Sequence, residues 1–203
     1  MAHLPTPRRG PPGFVRIIAG RWRSRRLPVA DVPGLRPTPD RVRVALFNWL
    51  RPYLPGARCL DLFAGTGALG FEAASEGAAH VTLVEFDAGI AAALRQALNI
   101  LDADGALMLK QMAAGEFLKL PPLPYDVVFV DPPYAMDVAE VLARLRQGWL
   151  TSRSWVYLER GEEFGVLPGY EVVKYGRAGQ VHYGLLRLTG TDAVGTDQEA
   201  ARE

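Results

Sequence analysis

The stretch LDLFAGTGALGFEA, residues 60–73, reads as a buried strand that passes through a glycine-rich turn directly into a helix. Asp61 lies within the strand, and Gly65, Thr66 and Gly67 form the turn, where glycine permits a positive φ and a close ligand approach. Gly70 would let the helix pack near the strand. Ligands of open α/β sheets bind beyond the carboxyl ends of the strands, so this turn predicts a ligand site.

The same alternation of strand and helix continues on both sides of this stretch and predicts the fold class. The predicted strands are 57–63, 80–85, 106–111, 126–130 and 154–159, and the predicted helices are 68–77, 90–101, 116–120 and 137–147. Such alternation is typical of a parallel, doubly wound sheet with right-handed crossovers. Residues 170–175 and 181–188, joined by GRAGQ, instead predict an antiparallel hairpin at the C-terminus.

The residues before this sheet predict a small basic extension. Residues 1–13 are rich in proline and glycine and are expected to be disordered. Residues 14–52 predict a hairpin with one charged face, followed by a helix for which Thr38 is the N-cap. Val42, Leu46, Trp49 and Leu50 share one face of this helix, with Arg41 and Arg43 away from it. Residues 53–188 form the main domain, and 189–203 are expected to be a flexible tail.

Charge is distributed unevenly along the chain. Residues 1–58 contain twelve arginines and two aspartates, a net charge of +10, whereas the remainder carries −9. A basic arm on an acidic body predicts a polyanionic partner, and arginine suits bidentate contact with phosphate. The sequence shows no membrane span, no secretory signal and no CxxC metal site, and its one cysteine, Cys59, is expected to pack in the core. A cytoplasmic protein without a metal is expected.

Two acidic residues near the glycine turn distinguish between possible ligands. Gly65 to Gly70 spell GxGxxG, and Glu85 lies 20 residues after Gly65, so an NAD(P)-dependent oxidoreductase is one alternative. The charge of Asp61 disfavours a pyrophosphate but suits the cationic groups of S-adenosylmethionine. In that case Glu85 would accept hydrogen bonds from the ribose diol, and Phe86 would lie against the adenine.

The segment VDPPY, residues 130–134, indicates the reaction class. An exocyclic amine on a base is a poor nucleophile because its lone pair is delocalised into the ring. The carboxylate of Asp131 and the carbonyl of Pro132 would hold its N–H groups and direct the lone pair at a methyl group. Tyr134 would stack on the base. The alternative is that the prolines only end the strand.

Four segments together resemble the RsmD family, the 16S rRNA guanine-N2 methyltransferases. They are DLFAGTGALGFEA, FVDPPY, RIIAGRWRSRRL and GLRPTPDRVRVALFNWL, and the resemblance runs from about residue 16 to about residue 188. It implies a Rossmann-like class I methyltransferase fold with a seven-stranded, mostly parallel sheet and S-adenosylmethionine as the donor. The implied acceptor is guanine 966 of 16S rRNA, in a small ribosomal subunit or its precursor.

The resemblance also implies roles for residues of this chain. Asp61, Gly65 and Gly67 would flank the methionine moiety of the donor, and Glu85 would bind its ribose. The family often has Asp or Asn after the third strand to contact the adenine, whereas this chain has Ala113. Backbone groups of Met112 or Ala114 would then contact the adenine instead. The implied rRNA-binding residues are Arg16, Arg21, Arg23, Arg36, Arg41 and Arg43.

Two further functions remain open from the residues alone. A DNA adenine or protein glutamine methyltransferase would share the DPPY segment. A non-catalytic RNA-binding factor would keep the basic arm beside a vestigial pocket. An assay of methyl transfer to rRNA, DNA and protein distinguishes the DNA or protein methyltransferase from an rRNA methyltransferase. A measurement of donor binding distinguishes the non-catalytic factor from an enzyme.

Overall fold

A seven-stranded sheet organises the part of the chain that the computed structural model describes, residues 13–32, 35, 38–103, 105–133 and 136–190. Its strands are β3 (Arg58–Asp61), β4 (His80–Glu85), β5 (Leu107–Gln111), β6 (Tyr125–Val130), β7 (Leu150–Arg160), β8 (Tyr170–Ala178) and β9 (Val181–Leu188). They lie in the order β5-β4-β3-β6-β7-β9-β8. Strands β3 to β7 pair in parallel, and β9 is antiparallel to both β7 and β8. The predicted methyltransferase-type sheet with a C-terminal antiparallel hairpin is confirmed.

Helices cover both faces of the sheet and bury it in two core clusters. The helices are α1 (Asp40–Leu50), α2 (Ala68–Ser75), α3 (Ala88–Leu101), α4 (Ala114–Phe117) and α5 (Val138–Leu145). One cluster joins α1, α2 and α3 to the sheet, and the other joins α4 and α5 to the opposite face. Apolar burial on both faces explains why the parallel strands are nearly continuous hydrophobic runs.

The glycine turn between β3 and α2 has the backbone that the sequence predicts. Gly65 and Gly67 have φ of +49° and +74°, the left-handed region that favours glycine. At Gly70 an added Cβ would lie 2.2 Å from a methyl group of Leu83, so this position requires glycine for helix α2 to approach β4. The turn therefore brings the start of α2 directly over the end of β3.

The N-terminal hairpin is bound to helix α2. Strands β1 (Phe14–Arg16) and β2 (Arg26–Pro28) pair antiparallel, and the loop between them contacts the α2 residues Glu72 and Ser75. Glu72 accepts hydrogen bonds from the backbone N–H groups of Ile18 and Ala19, at 3.0 and 2.7 Å. Ser75 Oγ accepts from the N–H of Trp22 at 3.0 Å and donates to the Ala19 carbonyl at 2.6 Å. The described residues of the segment 14–52 thus share a core with the sheet.

Helix α1 begins one residue later than the sequence suggests. Pro39 occupies the N-cap position, and its carbonyl accepts from the N–H groups of Val42 and Arg43. Thr38 is buried and lies one residue before the N-cap, and no side chain of the described residues caps the helix by a hydrogen bond. The predicted Thr38 cap is therefore wrong, because the chain enters the helical conformation one residue later.

Two other boundaries differ from those expected. Helix α4 spans Ala114–Phe117 rather than 116–120. Strand β7 begins at Leu150, where a register shift against β6 and the bond from Ser154 Oγ to the Tyr125 carbonyl extend the pairing. The predicted tails fall almost entirely outside the described residues. No helix of the described part is long and apolar enough to cross a membrane.

Candidate active site

Three neighbouring strands bring the predicted site residues to one edge of the sheet. Strand β3 lies between β4 and β6, and all three are parallel. Their carboxyl ends carry the glycine turn, Glu85 and Asp131 respectively. A ligand that spans this edge can therefore contact all three groups, as expected for an open α/β sheet.

Asp61 is a buried carboxylate at the centre of this edge. Its Oδ2 accepts a hydrogen bond from the N–H of Gly70 at 2.9 Å, within the first turn of α2. Burial raises the pKa of Asp61 to about 7, the Gly70 hydrogen bond opposes this rise, and the negative charge of Glu85 adds to it. A cationic ligand group at this position would favour the charged carboxylate.

Glu85 holds the glycine turn in place. Its two carboxylate oxygens accept from the N–H of Gly65 at 3.0 Å and from the N–H of Asp87 at 2.8 Å. Each carboxylate oxygen has two lone pairs, so both retain acceptor capacity for a ribose diol. Phe86 follows and is 71% exposed, which leaves its ring free for stacking.

The residues after β5 leave a restricted choice of adenine contacts. The N–H of Met112 donates to the carbonyls of Glu85 and Lys110, at 2.9 and 3.1 Å. This donor is therefore occupied within the sheet, and a contact from Met112 to an adenine would use its side chain or carbonyl. Ala113 is exposed at the N-cap position of α4, where unpaired N–H groups of a helix start lie close by.

The predicted amine clamp lies at the end of β6. Asp131 is half-buried and Pro132 is buried, while Tyr134 lies outside the described residues. Burial raises the pKa of Asp131 well above its usual range, the charges of Glu159 and Asp61 add to this, and the Thr38 hydroxyl opposes it. Pro132 and Pro133 line a cavity of about 210 Å³ beside Val138.

Glu159 is a fourth acidic strand end that the sequence analysis missed. It is the second-last residue of β7, the strand beside β6, and is 6% exposed. The Tyr157 hydroxyl donates to Glu159 Oε2 at 2.6 Å, and burial raises the pKa of both groups. The signal was present in the sequence, because SWVYLE ends on an acid just as HVTLVE does.

Comparison with known proteins identifies the relatives of this chain. The family model described as "Conserved hypothetical protein 95" matches residues 15–187. The Escherichia coli K12 protein named Ribosomal RNA small subunit methyltransferase D is 44% identical over 178 residues, covering 85% of this chain and 89% of the relative. The chain belongs to the RsmD family.

A second relative and a solved structure agree with this chain in sequence and in fold. The Haemophilus influenzae protein of the same name is 41% identical over 181 residues, covering 85% of this chain and 93% of that protein. The solved structure of yhhF from Escherichia coli is 42% identical with a TM-score of 0.80, and the match covers 88% of this chain and 100% of that one. The family model runs through residues 15–187, so it spans the hairpin, α1 and the seven strands of the sheet except for the terminal residues Phe14 and Leu188.

The basic residues expected to bind RNA divide into two groups in this RsmD-family chain. Arg16, Arg21, Arg23 and Arg41 are exposed, and Arg21 lies over the Trp22 ring at 4.0 Å. Arg41 approaches the turn between β8 and β9, since a Cβ added at Gly179 would lie 3.8 Å from its guanidinium. Arg36 lies outside the described residues.

Arg43 does not match its predicted role. Its side chain is 1% exposed and bonds to Glu72 at 3.1 Å, to Asp40 at 2.7 Å and to the Arg16 carbonyl at 3.0 Å. A guanidinium enclosed in this way cannot contact an RNA phosphate, so this prediction is corrected. Arg43 instead links α1, α2 and the hairpin.

Proposed function

We propose that this chain methylates the exocyclic N2 amine of a guanine in small-subunit 16S rRNA, guanine 966, with S-adenosylmethionine as the donor. The observation that carries the proposal is the arrangement at the sheet edge, where the Asp131-Pro132 clamp ends the strand next to the glycine turn. Membership of the RsmD family and the printed names of its relatives support rRNA as the substrate.

The residues at the ends of β3 and β4 suit S-adenosylmethionine. Asp61 would face its cationic end, Glu85 its ribose hydroxyls and Phe86 its adenine. Gly65 and Gly67 give the turn its left-handed backbone, and at Gly67 an added Cβ would lie 2.3 Å from the Phe71 ring, so the turn packs closely against the start of α2. When bound, the donor supplies a methyl group activated by a sulfonium. The chain supplies position and electrostatics.

The end of β6 suits the acceptor amine. Asp131 and the Pro132 carbonyl would each accept one N2 hydrogen, which localises the nitrogen lone pair and directs it toward the donor. The N2 amine must lose a proton once it has gained a methyl group. The carboxylate of Asp131 already accepts one of these hydrogens, and burial raises its pKa toward the range of an effective proton acceptor.

The exposed arginines of the N-terminal element suit an RNA ligand. Arg16, Arg21 and Arg23 lie on the hairpin, which α2 fixes to the methyltransferase sheet. Phosphate contacts of this kind position an RNA without reading its sequence. The target base would be flipped out of its stack, because N2 must reach the end of β6.

Transfer of a labelled methyl group tests this function. Wild-type protein is expected to label small subunits or 16S rRNA, with the methyl group at N2 of guanine 966. Asp131→Ala should reduce turnover by at least about a thousandfold, since it removes an acceptor that positions the amine. Donor binding, measured by calorimetry, should be retained.

A matched control uses the acid at the other end of the same strand. Asp126 is exposed, and its carboxylate accepts from the N–H of Arg58, away from the site. Asp126→Ala is expected to keep near wild-type turnover. Label in DNA or protein but not in rRNA would contradict the proposed substrate. Full activity of Asp131→Ala would contradict the clamp.

A further inference from the structure

A second carboxylate, Glu159, lies beside Asp131 on the neighbouring strand. Val130 of β6 pairs with Leu158 of β7, so Asp131 and Glu159 are the next residues on the two strands. One position before that pair, the rings of Phe129 and Tyr157 meet at 6.3 Å, which shows that these alternate positions share a face. Asp131 and Glu159 are each two residues further along their strands, so they lie on the same face as Phe129 and Tyr157, next to each other.

Glu159 is held in one orientation and retains an acceptor. Its Oε2 accepts from the Tyr157 hydroxyl at 2.6 Å, and Tyr157 is itself fully buried. Within the described residues, Oε1 has no hydrogen-bond partner. Glu159 lines the same cavity as Pro132 and Pro133, so a donor from a ligand in that cavity could reach the unused oxygen.

The two acids influence each other electrically, which supports their proximity. Burial raises the pKa of Asp131, and the next contribution to that rise is the charge of Glu159. Burial also raises the pKa of Glu159, against the hydrogen bond from Tyr157. Two carboxylates side by side in a poorly solvated edge suit a ligand that presents two adjacent donors.

Among the amino-bearing bases, guanine presents this pattern on its Watson–Crick edge. Its N1–H donor is adjacent to the N2 amine, whereas adenine has an N1 acceptor and cytosine an N3 acceptor beside the amine. We propose that Glu159 accepts the N1–H of the target guanine while Asp131 and the Pro132 carbonyl hold its N2 amine. This inference rests on the proposed function and adds the residue that selects the base.

The proposal explains how one edge could reject other amines. A carboxylate facing the N1 lone pair of adenine would meet another acceptor, which leaves both groups unpaired in a buried site. Sites built to hydrogen-bond a substrate group discriminate strongly against analogues that lack it. Tyr157 is then a positioning residue, because its hydroxyl fixes the Glu159 carboxylate.

The test compares two RNA fragments that differ only at the target nucleotide. One carries guanosine and the other carries 2-aminopurine riboside, which keeps the 2-amino group but lacks the N1–H. Wild-type protein should favour guanosine in kcat/KM. Glu159→Ala should narrow that preference by about tenfold or more, because the lost contact involves only one of the two RNAs.

Glu159→Gln keeps the size of the side chain and a neutral acceptor oxygen, and it covers the case in which the alanine variant does not fold. The preference of this variant for guanosine over 2-aminopurine should be smaller than that of wild type, because a neutral acceptor forms a weaker hydrogen bond than a charged one. It should remain larger than that of Glu159→Ala, which has no acceptor at this position. If the RNA with 2-aminopurine is methylated too slowly to measure, competition binding of the two RNAs gives the ratio of their affinities instead. Glu163→Ala, an exposed acid after the end of β7, serves as the control and should keep the wild-type preference.

An unchanged guanosine preference in both Glu159 variants would overturn the role of Glu159. If that unchanged preference comes with an equal loss of activity on both RNAs, Glu159 has a structural role. Failure of the proposed function looks different, because wild-type protein would then methylate neither RNA while still binding the donor.

Discussion

At the scale of the residue, Asp61 is a carboxylate whose environment favours the protonated form in the free protein. Burial raises its pKa to about 7, although the N–H of Gly70 favours the charged form. Because this pKa lies above the unfolded value of 3.8, the resulting stabilisation is complete below about pH 4 and is lost as the pH rises through about 7. A cationic ligand group near Asp61 would instead favour its charged form and lower its pKa.

Donor binding near neutral pH should therefore release a proton from Asp61. Calorimetry of S-adenosylmethionine binding at pH 7, in two buffers with different ionisation enthalpies, measures that release. At saturating donor, Asp61→Asn should release about half a proton less than wild type, because a group with a pKa of about 7 is half protonated there. Equal release by both proteins would show that Asp61 does not face the cationic end of the donor.

At the scale of the element, the hairpin loop depends on a position that accepts only glycine. Gly20 has φ of +75°, and an added Cβ would lie 1.9 Å from the Ser75 carbonyl oxygen. The same carbonyl accepts from the N–H of Arg21 at 2.8 Å. The loop can therefore pack on the end of α2 only while residue 20 lacks a side chain.

Gly20→Ala should separate this packing from backbone strain when compared with Gly56→Ala. Gly56 has φ of +78°, but its Cβ would have no atom within 4 Å. Strain alone should lower the free energy of unfolding of Gly56→Ala by about 1–2 kcal/mol. Gly20→Ala should lose about 2 kcal/mol more, since the loop must leave α2 and break its hydrogen bonds. Urea denaturation measures both, and equal losses would contradict the packing argument.

Elements were predictable from the sequence where the signal is local. Apolar runs that alternate with helical segments predict the parallel strands. An acid or a glycine turn at a strand end predicts Asp61, Glu85 and Asp131 as site residues. Arg43 was misread because its partner, Glu72, lies 29 residues away in a helix whose residues are all buried. Glu159 ends a predicted strand on an acid in the same way, but its place next to Asp131 follows only from the sheet order, which sets β7 beside β6.

At the scale of the whole molecule, the basic arm and the acidic body form one structure. Hairpin residues such as Leu27 share a core cluster with Leu46 of α1 and Phe129 of β6. Thr38, just before α1, lies near Asp131 and opposes the rise of its pKa. An RNA held by the exposed arginines would thus be fixed relative to the acidic strand ends, so binding and orientation of the target are coupled by packing.

Exposed arginines of the arm should determine the salt dependence of RNA binding. Each lost phosphate contact reduces the slope of log K against log salt by about 0.7–0.9. The double variant Arg23→Ala, Arg41→Ala should therefore reduce the slope for a 16S rRNA fragment by about 1.5. Arg153→Ala provides the control, because this exposed arginine lies near the start of β7, outside the hairpin and α1. Binding titrations between low and moderate salt give the slopes. A slope that stays at the wild-type value in the double variant, or falls equally in the control, would remove the arm from the RNA interface, because a phosphate contact cannot be lost without reducing counterion release.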